Sequence, residues 1–368
     1  MKDDLQEEDW ECCLSSTHKF YARRHQSYIE RLDSDKETLE YLMSDHLRMG
    51  GAFWGLGALD MMGFLNKPPL KSTEMVSECF DRKSSVSSKT IVAWISKCWD
   101  PLRGGYGSNI GQDAHLTSTL VSGFFCCTYW GCQYALLILA MMNSLDEVQV
   151  EPLIAWVQSL QNPDGSFSAD EWGESDGRFI YCAICILTIV NRLNCISTEK
   201  ARHWIIQCHN PDGGFGNVPG AESHAAYVFC SVGALSLLES LDLIDRDAVG
   251  RWLVERQIPG RCGGFNGRPE KAPDVCYSWW ILSALKVIGR DHWIDSKALT
   301  DFILSSQDEE GGIADRTGDI ADVFHTFFGV TGLSLLGAVR ELKPVDPVYS
   351  LSLDVVRRNK LPGAFYSE

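Results

Sequence analysis

The chain has 368 residues, of which 45% are hydrophobic and 22% are charged, so it is long enough for one large or two average domains with a sizeable core. Its formal net charge of −16 and its pI near 5.0 argue against nucleic acid or an anionic membrane as the main partner, because both attract a basic field. Any anionic ligand must therefore be held by a local cluster of basic residues.

The N-terminal stretch MKDDLQEEDWECC is acidic and lacks the basic and apolar regions of a signal or transit peptide. The 14 cysteines are scattered through apolar helical stretches, which favours reduced and mostly buried thiols over a disulfide framework. These features predict a cytoplasmic protein whose residues 1–20 are flexible.

Two stretches in the first part of the chain interrupt regular structure. Residues 67–89 are rich in Ser, Lys and Pro and are predicted to form an inserted, solvated loop. The segment Leu120–Met142 carries no charged residue and is long enough to span a bilayer, but its glycines and cysteines weaken that interpretation. We expect no stable membrane insertion, and interpret residues 123–133 as an insertion, or a gene-model error, within a repeat.

Glycine turns recur along the chain at nearly constant spacing. The intervals between their first glycines are 61, 48, 50 and 48 residues, and the longer first interval contains residues 123–133. Each interval holds apolar runs with helical spacing and none with strand alternation. The sequence therefore predicts an all-α protein built from helix pairs of about fifty residues that pack on neighbouring pairs. The first glycines are Gly104, Gly165, Gly213, Gly263 and Gly311.

A polar residue capable of chemistry follows each turn, 11 to 14 residues after its first glycine. In stacked repeats a near-constant offset places side chains at one height. We therefore expect these side chains to share one rim near the N-termini of the inner helices, where anions are favoured. They are His115, Arg178, His224, Cys276 and His325.

Two of these residues belong to a possible metal site. Asp274 lies two residues before Cys276, and His325 lies 49 residues after that cysteine, in the next repeat. An Asp/Cys/His set suits zinc and leaves its fourth position open, as in a catalytic site. A substrate thiol bound there would be deprotonated at neutral pH and become a nucleophile. Cysteine and aspartate at this spacing are also common without a metal, so both interpretations stay open.

A basic cluster surrounds the same cysteine in GFNGRPEKAPDVCYSWW, residues 264–280. Arg268 and Lys271 supply charge-assisted hydrogen bonds suited to phosphate, and Tyr277 and His224 add donors for a leaving oxygen that gains charge. A solvated basic turn is the plainer explanation of these residues alone. Their alternation with the possible zinc ligands favours a diphosphate site.

At these residues the chain resembles the β subunits of protein prenyltransferases, most closely those of the type II (Rab) geranylgeranyltransferases. The similarity covers most of the chain apart from the termini and the two insertions. It implies a single α/α toroid over residues 1–368, with a funnel-shaped aromatic cavity, zinc at its rim and a helical α subunit wrapped around it. The blocks that carry it are QNPDGSFSADEWGE, DGGFGNVPGAESHA, GRPEKAPDVCYSWW and ADRTGDIADVFHTFFGVTGLSLLG.

The resemblance also implies roles for individual residues. Asp315 matches an aspartate linked to magnesium in the magnesium-assisted members, and Arg178 matches a cavity arginine whose role is less defined. The implied zinc ligands are Asp274, Cys276 and His325, and the implied diphosphate-binding residues are His224, Arg268, Lys271 and Tyr277.

One small residue bears on the length of the lipid. Where the farnesyl enzymes have a bulky tryptophan that shortens the tunnel, this chain has Gly50, so the resemblance implies room for a twenty-carbon chain. At roughly 0.8 kcal/mol per buried methylene, the additional isoprene unit contributes several kcal/mol. The type II enzymes usually have serine here, and glycine is smaller still. The predicted tunnel residues are Gly50, Phe53, Trp54, Tyr181, Tyr227, Trp280 and Phe324.

The implied function is the transfer of geranylgeranyl from its diphosphate to C-terminal cysteines of Rab GTPases, with zinc and magnesium as cofactors. The implied partners are a prenyltransferase α subunit and a Rab escort protein. The alternative is a type I geranylgeranyl- or farnesyltransferase that reads a CaaX box, against which PEKAPDVCYSWW and Gly50 argue. Terpenoid cyclisation would need an acidic motif such as DxDD, which the sequence lacks, and a non-catalytic scaffold would not need zinc.

Overall fold

A computed structural model describes residues 18–32, 44–65, 87–116, 131–260 and 262–365. Most of the predicted flexible N-terminus and most of both predicted insertions lie outside these residues, so those expectations stay predictions. Ser88 and Lys89, at the end of the predicted loop 67–89, begin a helix. Residues 131–133, at the end of the predicted insertion 123–133, also begin a helix.

The regular secondary structure of the described residues is almost entirely helical, as the apolar spacing predicted. One short antiparallel pair, β1 (Trp99–Asp100) and β2 (Gly105–Tyr106), places Trp99 opposite Tyr106. The helices are α1 (Ala22–Leu32), α2 (Arg48–Met61), α3 (Ser88–Lys97), α4 (Gly131–Met141), α5 (Val150–Ser159), α6 (Gly177–Ile189), α7 (Thr198–Gln207), α8 (Ala225–Leu237), α9 (Arg246–Val254), α10 (Tyr277–Ile288), α11 (Ser296–Ser305), α12 (Val323–Leu335) and α13 (Leu353–Asn359).

Every second helix belongs to a closed inner ring. In order, α2, α4, α6, α8, α10 and α12 each pack on the next, and α12 packs back on α2. These helices are apolar on nearly every side, as in AAYVFCSVGALSL of α8, and a helix of that composition must be buried on all faces. The outer helices alternate with them along the chain and keep exposed polar residues; they are α1, α3, α5, α7, α9 and α11. The predicted α/α toroid is therefore confirmed.

The ring is closed by the N-terminal helix α1. In two repeats a glutamine at the glycine turn bonds the backbone just before the next outer helix, as Gln161 does to Ser197 at 2.8 and 2.9 Å. In the last repeat, Gln307 makes the same kind of bonds to Lys19 O at 2.9 Å and Tyr21 N at 3.0 Å. The helix α1 thus occupies the outer position of the last repeat, which joins the two ends of the chain.

The C-terminal segment, residues 338–365, covers the ends of the inner helices opposite their N-termini. Lys343 N donates to Met61 O at the end of α2 at 2.9 Å, and the Arg358 guanidinium donates to Met141 O at the end of α4 at 3.0 Å. The N-terminal ends of the inner helices form the opposite rim. Within the described ranges, no helix combines the length and the apolar composition needed to cross a bilayer.

Candidate functional site

The five polar residues at matched offsets lie where inner helices begin. His224 and Cys276 are the N-cap residues of α8 and α10, and Arg178 and His325 lie in the first turns of α6 and α12. His115 O accepts from Cys132 N at 3.1 Å, so this histidine lies beside the start of α4. As the spacing predicted, these residues share one rim.

Three side chains at this rim bring metal-ligating atoms together. One ligand atom each from Asp274, Cys276 and His325 lies within 4.8 Å of the others. Cys276 is fully buried, while Asp274 and His325 are half-buried and face the opening. The predicted Asp/Cys/His set is therefore assembled from two adjacent repeats.

Backbone hydrogen bonds fix this arrangement. The Asp274 carboxylate accepts from Cys276 N at 2.7 Å, which orients both residues just before α10. Val275 N, between them, donates to Asp315 O in the next repeat at 2.8 Å. The loop that carries Asp274 and Cys276 is thereby tied to the loop that leads to His325.

His325 lies between two carboxylates. Its Nδ1 lies 2.6 Å from Asp322 Oδ2, and its Nε2 lies 3.2 Å from Asp274 Oδ1. Burial alone would lower the pKa of His325, but the two carboxylates outweigh burial and raise this pKa to about 10. Asp322 was not predicted from the sequence, although a carboxylate three residues before a ligand histidine on a helix is a recognisable orienting partner.

The set of donor atoms fits zinc. Once Cys276 and Nε2 of His325 give up their protons, it offers one thiolate sulfur, one imidazole nitrogen and one carboxylate oxygen, and zinc binds all three types. The Nδ1–Asp322 contact leaves Nε2 of His325 to face the cluster, as expected of a ligand histidine held by a second carboxylate. Among the described residues, no other group of three such side chains converges in this way.

The basic cluster adjoins the metal-ligating atoms. The Tyr277 hydroxyl lies 3.3 Å from His224 Nε2, and His224 Nδ1 accepts from Ala226 N at 3.2 Å. Burial and the nearby Arg268 guanidinium lower the pKa of His224 to about 4, so the ring is neutral at pH 7. Because Nδ1 accepts, its proton is on Nε2. Lys271 is exposed on the loop before α10.

Three acidic residues that the sequence did not single out hold the arginines of this rim. The Arg178 guanidinium lies against the buried Asp176, which caps α6, with Nε 2.7 Å from Oδ2. The Arg268 guanidinium pairs with Glu222, and Glu174 lies 3.7 Å from Arg178. These carboxylates partly neutralise the positive charge of the rim.

Asp315, the residue predicted to bind magnesium, already has a cationic partner. Arg316 Nη2 lies 2.6 Å from its carboxylate, and Arg316 also lies 3.2 Å from Asp319. Burial would raise the pKa of Asp315, but the Arg316 guanidinium outweighs burial and lowers it. Any metal ion at this carboxylate has to share it with Arg316.

Aromatic side chains fill the centre of the ring below the rim. One cavity among these side chains has a volume of about 10 Å³, about the least that can hold one water molecule. Of the predicted tunnel residues, Phe53, Tyr181 and Trp280 line this space. The others lie at its margin: Trp54 stacks edge-on against Phe324 with ring centroids 5.0 Å apart, Tyr227 lies beside His224, and Gly50 lies against the Trp54 indole.

Comparisons with known proteins agree with this architecture. A family model described as "Prenyltransferase alpha-alpha toroid domain" matches residues 20–351. The chain is 39% identical to the geranylgeranyl transferase type-2 subunit beta of Saccharomyces cerevisiae over 354 residues, 94% of this chain and 98% of that protein. It is 45% identical to the geranylgeranyl transferase type-2 subunit beta 1 of Arabidopsis thaliana, over 92% of this chain and 94% of that protein.

A solved structure supports the fold. The protein geranylgeranyltransferase-I of Candida albicans complexed with GGPP superposes with a TM-score of 0.74 at 19% identity, covering 94% of this chain and 99% of that one. The resemblance stated from the sequence motifs is therefore confirmed. The chain belongs to the family of geranylgeranyl transferase type-2 β subunits and is a prenyltransferase.

Proposed function

We propose that this chain is the catalytic β subunit of a heterodimeric protein geranylgeranyltransferase. It transfers geranylgeranyl from its diphosphate to C-terminal cysteines of Rab GTPases, which an escort protein presents. The observation that carries this proposal is the convergence of Asp274, Cys276 and His325, with ligand atoms within 4.8 Å of one another, beside the basic cluster. The family, which includes type-2 β subunits at 39% and 45% identity, supports the choice of lipid and protein substrates.

Asp274, Cys276 and His325 would hold zinc, and Asp322 would keep the His325 ring in place. Bound zinc lowers the pKa of a coordinated substrate thiol, so that the thiolate predominates at neutral pH. The burial of Cys276 keeps its sulfur away from bulk water. The side chains of Asp274 and His325 are 19% and 12% exposed, so a cysteine-bearing tail would reach the cluster from their side of the rim.

The transfer breaks one bond and forms one bond. The substrate sulfur, its proton lost to solvent, attacks the first carbon of the lipid. The bond from this carbon to oxygen breaks, and the diphosphate leaves with the electron pair. Arg268 and Lys271 neutralise the departing charge. His224 donates a hydrogen bond from Nε2 to the Tyr277 oxygen, 3.3 Å away. This hydrogen bond orients the phenol so that its own hydroxyl can donate to a phosphate oxygen.

Magnesium and the lipid place further demands on the site. Magnesium at Asp315 has to compete with Arg316, 2.6 Å away, so we expect it to bind weakly and to raise turnover without being required for lipid binding. The geranylgeranyl chain would lie among the aromatic side chains at the centre of the ring. Phe53, Tyr181 and Trp280 are the tunnel residues that line this space.

The test is reconstitution with a type-2 α subunit. The purified complex is supplied with a Rab GTPase, with or without its escort protein, and with geranylgeranyl and farnesyl diphosphate in competition. We expect geranylgeranyl transfer that depends on the escort protein. Transfer to a CaaX peptide alone, or a preference for the fifteen-carbon lipid, would contradict the proposal and favour a type I or farnesyl enzyme.

The matched variant is Cys276→Ala, which removes one buried sulfur and leaves the basic cluster unchanged. We expect it to lose both zinc and turnover while still binding geranylgeranyl diphosphate. Unchanged zinc content with unchanged turnover would refute the assignment of the metal ligands. Loss of diphosphate binding in this variant would show instead that Cys276 supports the fold of the rim.

A further inference from the structure

The Arg268 guanidinium is paired in the structure. Its Nη1 contacts a carboxylate oxygen of Glu222, which lies two residues before His224 on the loop from the preceding glycine turn. The Arg268 side chain is 23% exposed and that of Glu222 is 58% exposed. A diphosphate that approaches this arginine therefore meets a carboxylate already bound to it.

This pairing belongs to a pattern in the repeats. In three successive repeats, the ninth residue after the first glycine is acidic and pairs with an arginine. In the next two repeats the same position holds Ala272 and Ile320, so the row of carboxylates stops where the basic cluster and the metal-ligating side chains begin. The pairs are Asp113 with Arg103 at 3.0 Å, Glu174 with Arg178 at 3.7 Å, and Glu222 with Arg268.

We propose that Glu222 is a counter-ion of Arg268 that competes with the diphosphate, and that it lowers the affinity of the site for the diphosphate and for the pyrophosphate released. This inference rests on the proposed function, because it takes Arg268 as a diphosphate-binding residue. Glu222 acts through Arg268 and is a modulating residue, not a catalytic one.

The physical basis is a competition between anions. A diphosphate carries more negative charge than one carboxylate and offers several acceptor oxygens to a guanidinium, so it can displace Glu222. The Glu222 side chain is more than half exposed, so its carboxylate can rotate into water and be hydrated when the diphosphate displaces it. Each binding event nevertheless breaks the Glu222–Arg268 pair, and each release of pyrophosphate restores it.

The test measures the affinity of inorganic pyrophosphate for the complex with the α subunit. Calorimetry compares wild type, Glu222→Gln and the control Glu174→Gln, which makes the same charge change at the same offset in the preceding repeat. An exposed ion pair of this kind corresponds to an affinity change of about two- to fivefold. We expect Glu222→Gln to bind pyrophosphate more tightly by that factor, and Glu174→Gln to match wild type.

A second measurement separates this competition from a structural role. In an Arg268→Gln background, adding Glu222→Gln is expected to leave pyrophosphate affinity unchanged. Weaker binding in Glu222→Gln alone would mean that the carboxylate positions Arg268, and would overturn the inference. If Glu174→Gln tightened pyrophosphate binding by the same factor, the effect would come from net charge alone, and the inference would again be overturned. If wild type transfers lipid but Glu222→Gln binds as wild type does, only this inference fails; if wild type neither binds pyrophosphate nor transfers lipid, the proposed function fails with it.

Discussion

The Asp322 carboxylate both caps α12 and holds the ring of His325, a member of the metal-ligating cluster. One of its carboxylate oxygens caps α12 by accepting from His325 N at 2.8 Å, and the other lies 2.6 Å from Nδ1 of the same histidine. Asn in place of Asp keeps an acceptor but removes the charge that supports the imidazole. We expect Asp322→Asn to lower zinc affinity by about 10- to 100-fold, measured by competition with a chelator.

The matched control for this prediction is Asp319→Asn. Asp319 is on the same loop and lies 3.2 Å from Arg316. In the part of the chain that the structure describes, the ion pair to His325 Nδ1 comes from Asp322 and not from Asp319. We expect this control to retain the wild-type zinc affinity. An Asp322→Asn variant that also keeps wild-type affinity would show that the histidine is held by other contacts.

Gly50 supports a prediction about the length of the lipid. A Cβ atom at this position would lie 3.1 Å from the Trp54 indole, so a large side chain has to displace an aromatic ring at the edge of the central space. We expect Gly50→Trp to reduce kcat/KM for geranylgeranyl diphosphate relative to farnesyl diphosphate by at least tenfold. Five buried carbons at roughly 0.8 kcal/mol each make a change of this size reasonable. An unchanged ratio of the two kcat/KM values would place the end of the tunnel elsewhere.

The site residues that the sequence predicted and those that it missed differ in how distinctive their side-chain chemistry is. Asp274, Cys276 and His325 have side chains of distinctive chemistry at a spacing that the repeat explains. Glu222, Asp176 and Arg316 are acidic or basic residues of ordinary type, and only their ion pairs give them a role. The partner of Glu222 lies on another loop, and the partners of Asp176 and Arg316 lie within three residues. A sequence specifies neither the approach of two loops nor the rotamers that form an ion pair.

At the scale of the elements, the glycine turns govern how neighbouring repeats approach one another. Gly311 has a φ of +95°, and a Cβ atom there would lie 2.1 Å from the Arg24 backbone oxygen of α1. Gly311→Ala therefore combines an unfavourable backbone conformation with a clash against backbone. We expect it to lower the free energy of unfolding by about 3 kcal/mol or more, measured by chemical denaturation.

Gly173→Ala is the control for this close approach. Its φ of +89° is nearly the same, but nothing lies within 4 Å of a Cβ atom added there. We expect this variant to lower the free energy of unfolding by about 1–2 kcal/mol, the cost of the left-handed backbone conformation alone. Equal losses of stability in the two variants would mean that contact between the last turn and α1 does not limit the packing of the ring.

The helix pairs were predictable because the sequence of each repeat contains apolar residues at helical spacing and a glycine turn. The position of α1 was not predictable in the same way. Gln307 bonds Lys19 and Tyr21 nearly three hundred residues away, and nothing in the local sequence of α1 indicates which repeat it joins. Closure of the ring is a property of the whole chain.

His25 links the N-terminal helix α1 to the last repeat and makes the ring sensitive to acid. It lies in α1, its Nε2 is 2.9 Å from Gln307 Oε1, and its Nδ1 accepts from Gly312 N at 2.9 Å. Burial, opposed by the bond to Gln307, lowers the pKa of His25 to about 4. Between about pH 6.5 and pH 4 the unfolded chain binds a proton that the folded chain does not, so stability falls as the pH falls.

We expect this histidine to account for about 2 kcal/mol of the stability lost between pH 7 and pH 5. In His25→Gln, the amide can replace both hydrogen bonds without titrating. The decrease in the free energy of unfolding over this pH range is therefore expected to be smaller in the variant by that amount. Identical pH dependence in the two proteins would show that the ring opens before His25 is protonated.

We propose that two adjacent repeats bind one zinc ion through Asp274, Cys276 and His325. Zinc X-ray absorption on the purified complex tests this site. We expect one sulfur ligand at about 2.3 Å with the remaining ligands nitrogen or oxygen, a second sulfur when a Rab tail is bound, and loss of the first sulfur in Cys276→Ala. A zinc shell without sulfur, or a spectrum that Cys276→Ala leaves unchanged, would contradict the account.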